Sequence, residues 1–275
     1  MSVPAIHSSL PVRAVLFDWA GTIIDFGCMA PLCAFRQAFE ACGIALTDAQ
    51  IRAPMGSAKR DHILRILSDP EVHALWIEQN GAEPVSADID RLYAAFLAAD
   101  EAVATDYCDL VPGVQMTIEA LGELGILIGG TTGYPRAIID RIAPIVAAQG
   151  IRFASSVTAS DVEHGRPAPD MCRLAAERLG VAEPASCVVV DDTLAGIAAG
   201  RSAGMWSVGV AASGNELGLP LGVWQAMPVR EREPRLGPIR ERMRDAGAHF
   251  VIDTVADLGT TIDIINGRLA MGKRP

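Results

Sequence analysis

Apolar residues follow two rhythms along this chain, and the change between them divides it. Val12–Phe17 is a short run, mostly apolar and β-branched, that ends at Asp18 and a Trp-Ala-Gly-Thr turn. Such runs, closed by turn residues, predict buried strands. Over residues 28–102 the spacing turns helical, in Ala30–Cys42, from Ile63–Ile66 onward and in Ile89–Val103. Thr47 and Asp48 give a helix-start signal before Gln50 and Ile51.

From Val111-Pro-Gly113 strands and helices alternate. Val114–Leu124 reads as a helix stopped by Gly125, Ile126–Thr132 as a strand opening into Gly133, and Pro135–Gln149 as a helix with proline in its first turn. Phe153–Thr158 (strand), Pro169–Leu179 (helix), Cys187–Asp191 (strand), Leu194–Ala203 (helix) and Met205–Val210 (strand) follow. Residues 211–238, rich in Gly and Pro, predict a long loop. Then come helix Ile239–Ala246, short strand His249–Ile252 and helix Val255–Ile265. Residues 1–11 read as a loose tail. The alternation predicts an α/β fold, a Rossmann-like parallel sheet with helices on both faces. Residues 1–27 and 103–275 form its core, and 28–102 an all-helical cap inserted after the first strand.

Composition narrows the partners. Half of the 275 residues are hydrophobic, enough for a sizeable core and against disorder. A net charge of −10 with no long basic run excludes nucleic acid or an anionic membrane as the main partner. A small anionic substrate needs only local positive charge. The six cysteines, Cys28, Cys33, Cys42, Cys108, Cys172 and Cys187, form no C-x-x-C pair and no zinc spacing. With no signal-peptide pattern and no apolar run of membrane-spanning length, the expectation is a cytoplasmic protein with reduced thiols.

Candidate chemistry gathers at four strand ends: Asp18, Thr132, Arg166 just past the third strand, and the pair Asp191 and Asp192. In a parallel sheet these share one edge. Acids from two strand ends can hold Mg²⁺, which prefers oxygen ligands together with a phosphate. A hydroxyl, backbone N–H groups and an arginine can hold phosphate oxygens.

In this order the motifs resemble the haloacid dehalogenase-like phosphotransferase superfamily, over nearly the whole chain. The resemblance implies that Asp18 attacks phosphorus and becomes an aspartyl phosphate. The superfamily usually has a second Asp two residues later as general acid/base; here Ala20 stands there. One branch with this replacement is the phosphonoacetaldehyde hydrolase (phosphonatase) family. Asp18-Trp-Ala-Gly-Thr22, Gly27-Cys28, Pro54-Met55-Gly56 with Lys59 and His62, Thr131-Thr-Gly-Tyr134, Gly165-Arg166-Pro167 and Gly204-Met-Trp206 all resemble its pattern. The resemblance implies a Schiff base between Lys59 and the aldehyde of a small phosphonate. It also implies Mg²⁺ on Asp18, the Ala20 carbonyl and Asp192, and phosphoryl oxygens on Thr132 and Arg166. A homodimer formed through the helical insert is implied too, and the apolar face around Cys33–Phe39 suits it.

Elementary chemistry supports such a lysine. A carbon–phosphorus bond breaks heterolytically only if carbon can leave with its electrons. A protonated imine next to that carbon takes them up, so the group departs as an enamine. No leaving oxygen then needs a proton, which makes Ala20 tolerable. At the reference pKa roughly one lysine in 2,500 is neutral at pH 7, so burial or a nearby cation has to lower it.

Other positions keep two readings. Met55, Lys59 and His62 share one helix face if the helix reaches back to Met55. His62 shuttles protons or only packs; Tyr134 reaches the lysine or opens a helix; Cys28 and Met55 line the site or fill the core. His7, His73, His164 and His249 read as structural or surface residues. In Asp191-Asp192-Thr193-Leu-Ala-Gly196, Asp192 takes the metal-ligand place, and the family's further acid is replaced by Gly196. Related sugar-phosphate mutases carry such an acid pair followed by Ala-Gly, and that resemblance implies two readings: Asp191 replaces the acid in the outer metal shell, or the shell lacks it. The rival readings are a phosphomonoesterase or phosphomutase acting on a small phosphate ester, and a non-catalytic phosphate-binding protein.

Overall fold

The computed structural model describes residues 11–275; the tail expected over 1–11 and His7 therefore lie, except for Pro11, outside the described residues. Six strands, β1 (Ala14–Phe17), β2 (Leu127–Thr132), β3 (Ser155–Thr158), β4 (Cys187–Asp191), β5 (Trp206–Val210) and β6 (Phe250–Ile252), form one sheet. Its order is β3-β2-β1-β4-β5-β6, and every pairing is parallel. Central β1 and β4 are buried along their whole length, as continuous apolar runs in a two-sided sheet should be.

Between β1 and β2 the chain makes α1 (Met29–Glu40), α2 (Asp48–Arg52), α3 (Lys59–Leu67), α4 (Pro70–Asn80), α5 (Ser86–Val103) and α6 (Val114–Glu123). The first five enclose their own apolar cluster, with Phe35, Phe39, Ile63, Trp76, Leu92 and Phe96 at its centre. The Cys33–Phe39 face expected to pair two copies is largely used here: Ala34, Phe35, Ala38 and Phe39 are buried inside the cap. Thr47 caps α2 through a reciprocal bond with Gln50, as its sequence signal predicts. Helices α7 (Arg136–Ala148), α8 (Asp170–Arg178) and α9 (Leu194–Ser202) alternate with the later strands and cover the sheet.

Two expectations need correction. The stretch 211–238 is not one long loop: α10 (Leu221–Ala226) and α11 (Val229–Asp245) occupy much of it, before α12 (Leu258–Ala270). Helix α11 runs through Pro234 and Pro238, which ordinarily break a helix by removing a donor and crowding the preceding turn. Burial overrides that penalty, since Leu236, Ile239 and Met243 pack as one stripe on Ile197, Ala211 and Ala212. The second correction concerns Met55. Helix α3 starts at Lys59, and Gly56 has φ +86°, so Met55 belongs to the preceding turn and not to the Lys59 face.

Candidate active site

Strand β1 stops one residue short of Asp18, whose N–H donates to the Val190 carbonyl of β4 (2.9 Å). The acid is thus delivered to the carboxyl edge of the sheet beside Asp191 and Asp192. Thr132 closes β2 at the same edge. Asp18, Ala20, Cys28, Met55, Lys59, Thr132, Tyr134 and Arg166 line one cavity between sheet edge and cap, together with Pro31, Gly56, Gly133 and Thr193. Eight positions singled out in the sequence therefore meet, although they come from the sheet edge and the inserted helices.

Arg166 organises the anionic side. Its Nη1 donates to Asp18 Oδ1 (2.6 Å) and its Nη2 to the Thr131 hydroxyl (2.8 Å) and carbonyl (3.0 Å). The same Nη2 stands 3.0 Å from Asp191 Oδ2, an ionic contact not aligned as a hydrogen bond. Although burial opposes its charge, Asp191 and Asp18 hold Arg166 above the ordinary guanidinium range. Burial raises Asp18 well above the usual carboxylate range; Arg166 works against that, and Asp191 and Asp192 add to it. Burial, reinforced by Asp191, pushes Asp192 up to about 7.

These three carboxylates each offer an oxygen within 4.8 Å of the others. Three buried acids share one arginine, which leaves their ionised forms short of positive charge, and an all-oxygen donor set suits a hard divalent cation. Asp192 Oδ2 is fixed by the Asn215 N–H (2.7 Å) and Cys28 Sγ (3.1 Å). The Ala20 carbonyl also accepts from Cys28 Sγ (3.2 Å), so that thiol joins two expected ligands. Gly21 adopts φ +85°, and a Cβ there would lie 2.4 Å from Asp192 Oδ2, so only glycine lets the turn pass the carboxylate.

The other wall is aromatic. Lys59 is the first residue of α3 and only 6% exposed. Its Nζ lies 4.9 Å from the Tyr134 ring centre, 5.5 Å from that of Phe35 and 5.7 Å from that of Phe96. Burial lowers its pKa, against the pull of Asp100, Cys28 and Asp18. The direction of this shift is the one imine chemistry requires. The chain has only one other lysine, Lys273.

His62 does not line this cavity. Its ring stacks on Phe35 at 3.9 Å, its Nε2 bonds the Ile51 carbonyl (2.7 Å), and burial holds it well below the ordinary histidine range. Packing is the role this geometry supports. Thr132 Oγ1 accepts from the Tyr134 N–H (3.1 Å) and still faces the cavity.

Several working residues escaped the sequence reading. Thr193 caps α9 at the Gly196 N–H and donates to Asp191 Oδ1; its place before a helix was the available signal. Asp25 accepts from the N–H groups of Met29 and Ala30 (2.9 and 3.0 Å), capping α1 where Cys28 does not. Arg52 ties cap to core through the carbonyls of Gly27 and Gly218 and the Asn215 side chain, a contact visible only in three dimensions.

Known proteins resemble this chain over most of its length. The family model for haloacid dehalogenase-like hydrolases matches residues 12–204. The phosphonoacetaldehyde hydrolase of Hahella chejuensis is 45% identical over 265 residues, covering 96% of this chain and 90% of the relative. That of Bordetella avium is 42% identical over 270 residues, covering 98% and 96%. The crystal structure of a phosphonoacetaldehyde hydrolase-like protein from Oleispira antarctica superposes with a TM-score of 0.95 at 41% identity, over the full length of both chains. The chain belongs to the haloacid dehalogenase-like hydrolases and, among them, to the phosphonoacetaldehyde hydrolase family.

Proposed function

We propose that this enzyme hydrolyses the carbon–phosphorus bond of phosphonoacetaldehyde to acetaldehyde and phosphate. One observation carries the reading: a buried lysine and a buried aspartate face one cavity, with an alanine where an ester-cleaving relative would keep its proton donor. The names of the relatives support the same substrate.

Lys59, as the free amine, adds to the aldehyde carbon; the carbinolamine takes up one proton from solvent and loses water, leaving a protonated imine. An Asp18 oxygen then attacks phosphorus. The P–C electron pair moves into the imine, giving an enamine on Lys59 and an aspartyl phosphate on Asp18. Arg166 and Thr132 orient the phosphoryl oxygens. Protonation of the enamine carbon regenerates an imine. Water then releases phosphate from Asp18 and acetaldehyde from Lys59. Mg²⁺, when bound by Asp18, the Ala20 carbonyl and Asp192, would neutralise phosphonate charge and hold the group in line. The cap, residues 28–102, shuts the site against the core and keeps the amine dry. The six free cysteines fit a reducing cytoplasm.

The test is phosphate release from phosphonoacetaldehyde and from a small phosphate monoester, by wild type and by Lys59→Arg. Release from the phosphonate only, abolished by the substitution, supports the proposal. Monoester turnover indifferent to Lys59→Arg would assign an ordinary phosphomonoesterase.

A further inference from the structure

Helix α5 buries a stripe of Ile89, Leu92, Phe96 and Asp100. Three members pack the cap core; the fourth is a carboxylate. Asp100 is fully buried, and neither of its oxygens has a hydrogen-bond partner. Buried acids are ordinarily paired or hydrogen-bonded, because an isolated one costs several kcal/mol or more. A bare acid on an apolar stripe therefore needs a reason.

Its position supplies one. Asp100 lies one helical turn beyond Phe96, whose ring stands 5.7 Å from Lys59 Nζ. Phe96 stacks on Phe35 (4.3 Å), which also faces that nitrogen. Helix α3 packs against α5, so the two residues share one buried wall; no direct ion pair joins them, and Asp100 is the strongest carboxylate influence on Lys59, one that no other group holds. The surrounding groups do not replace it. Asp25 also faces the pair, but its two oxygens are taken by the α1 amides. Asp18 is held by Arg166, which opposes a charged lysine, while Cys28 and Tyr134 are held in their neutral forms by burial.

We propose that Asp100 is the counter-ion of Lys59, a positioning residue that holds the resting ammonium against its aromatic seat and sets the pH at which the amine becomes free. The inference rests on the reading that Lys59 forms the imine. It adds a residue that acts through that lysine without touching substrate.

The experiment is trace acetylation of the intact protein with acetic anhydride across pH, read at Lys59 by peptide mass spectrometry with Lys273 as internal standard. Two variants guard against a folding defect: Asp100→Asn keeps the shape, and Asp100→Leu suits the apolar surroundings. In both, the Lys59 curve is expected to move to lower pH by about one unit or more, and Asp100→Glu to restore part of the shift. A curve within about 0.3 unit of wild type in either folded variant overturns the proposal. So does failure of both variants to fold, which would make Asp100 structural. Acetylation needs no aldehyde, so the two readings fail separately. A shifted curve without reductive trapping of substrate on Lys59 would keep the charge coupling and discard the imine.

Discussion

A Cβ on Gly196 would lie 1.9 Å from Oδ2 of Asp191 and 2.0 Å from its carboxyl carbon. The strand-end acid fills the space that a side chain on helix α9 would need. Thr193 fixes its Oδ1, and Arg166 faces its Oδ2. Asp191 and Gly196 are therefore sterically matched, each admitting the other only as it stands. Gly196→Ala is expected to displace Asp191, release Arg166 and cut turnover on the order of 10²-fold with the fold retained. Asp191→Gly combined with Gly196→Asp should recover part of that loss in a phosphate-release assay. An alanine variant with wild-type turnover would dissolve the pairing.

Arg52 is the clasp between cap and core. Its Nη1 reaches the Gly27 carbonyl (2.8 Å) and its Nη2 that of Gly218 (3.1 Å), while Asn215 returns a bond to the Arg52 carbonyl (3.2 Å). Arg52→Ala removes charge-assisted bonds worth about 1.5–3 kcal/mol each in full. A tenfold or larger fall in kcat/KM is expected, with faster proteolysis around residues 52–58. Unchanged kinetics would show that closure does not depend on the clasp.

In the proposed mechanism Asp18 and Lys59 perform separable steps. Asp18→Asn should still accumulate an imine on Lys59, because carbinolamine chemistry does not use the carboxylate, yet release no phosphate. Borohydride reduction followed by phosphate assay on the same sample reads both. Loss of trapping in a folded Asp18→Asn protein would mean that the steps are coupled.

Asp100 makes a prediction about stability. Burial raises its pKa from 3.8 to about 6. A carboxyl raised on folding stabilises the fold fully below its unfolded pKa, and that contribution is lost as pH rises through the folded value. The stability of Asp100→Asn relative to wild type should therefore climb between about pH 4 and about pH 6, by on the order of 3 kcal/mol, then level off. Urea melts of both proteins across that window test the sign. A variant that loses ground as pH rises would contradict it.

Much of this was legible in the chain because strand ends in a parallel sheet share an edge. Asp18, Thr132, Arg166 and Asp192 could be placed together from order alone. Lys59 stands out only through the resemblance to the phosphonoacetaldehyde hydrolase family, to which the missing carboxyl at Ala20 points. What stayed hidden is tertiary. The prolines of α11 read as breakers because the stripe that rescues them faces Ile197 and Ala211, far off in sequence. His62 shares Lys59's helix, yet its ring turns onto Phe35. Arg52 and Asn215 meet only across the cap–core seam, and Asp100 looked like any other acid on a helix.

The central claim is that Lys59 carries the substrate carbon. Borohydride added during turnover of phosphonoacetaldehyde, followed by peptide mass spectrometry, measures it directly, because Lys59 and Lys273 are the only lysines in the chain. The account predicts a two-carbon adduct on Lys59, none on Lys273, and matching loss of activity. Phosphate release that continues undiminished, with Lys59 unmodified, would contradict it.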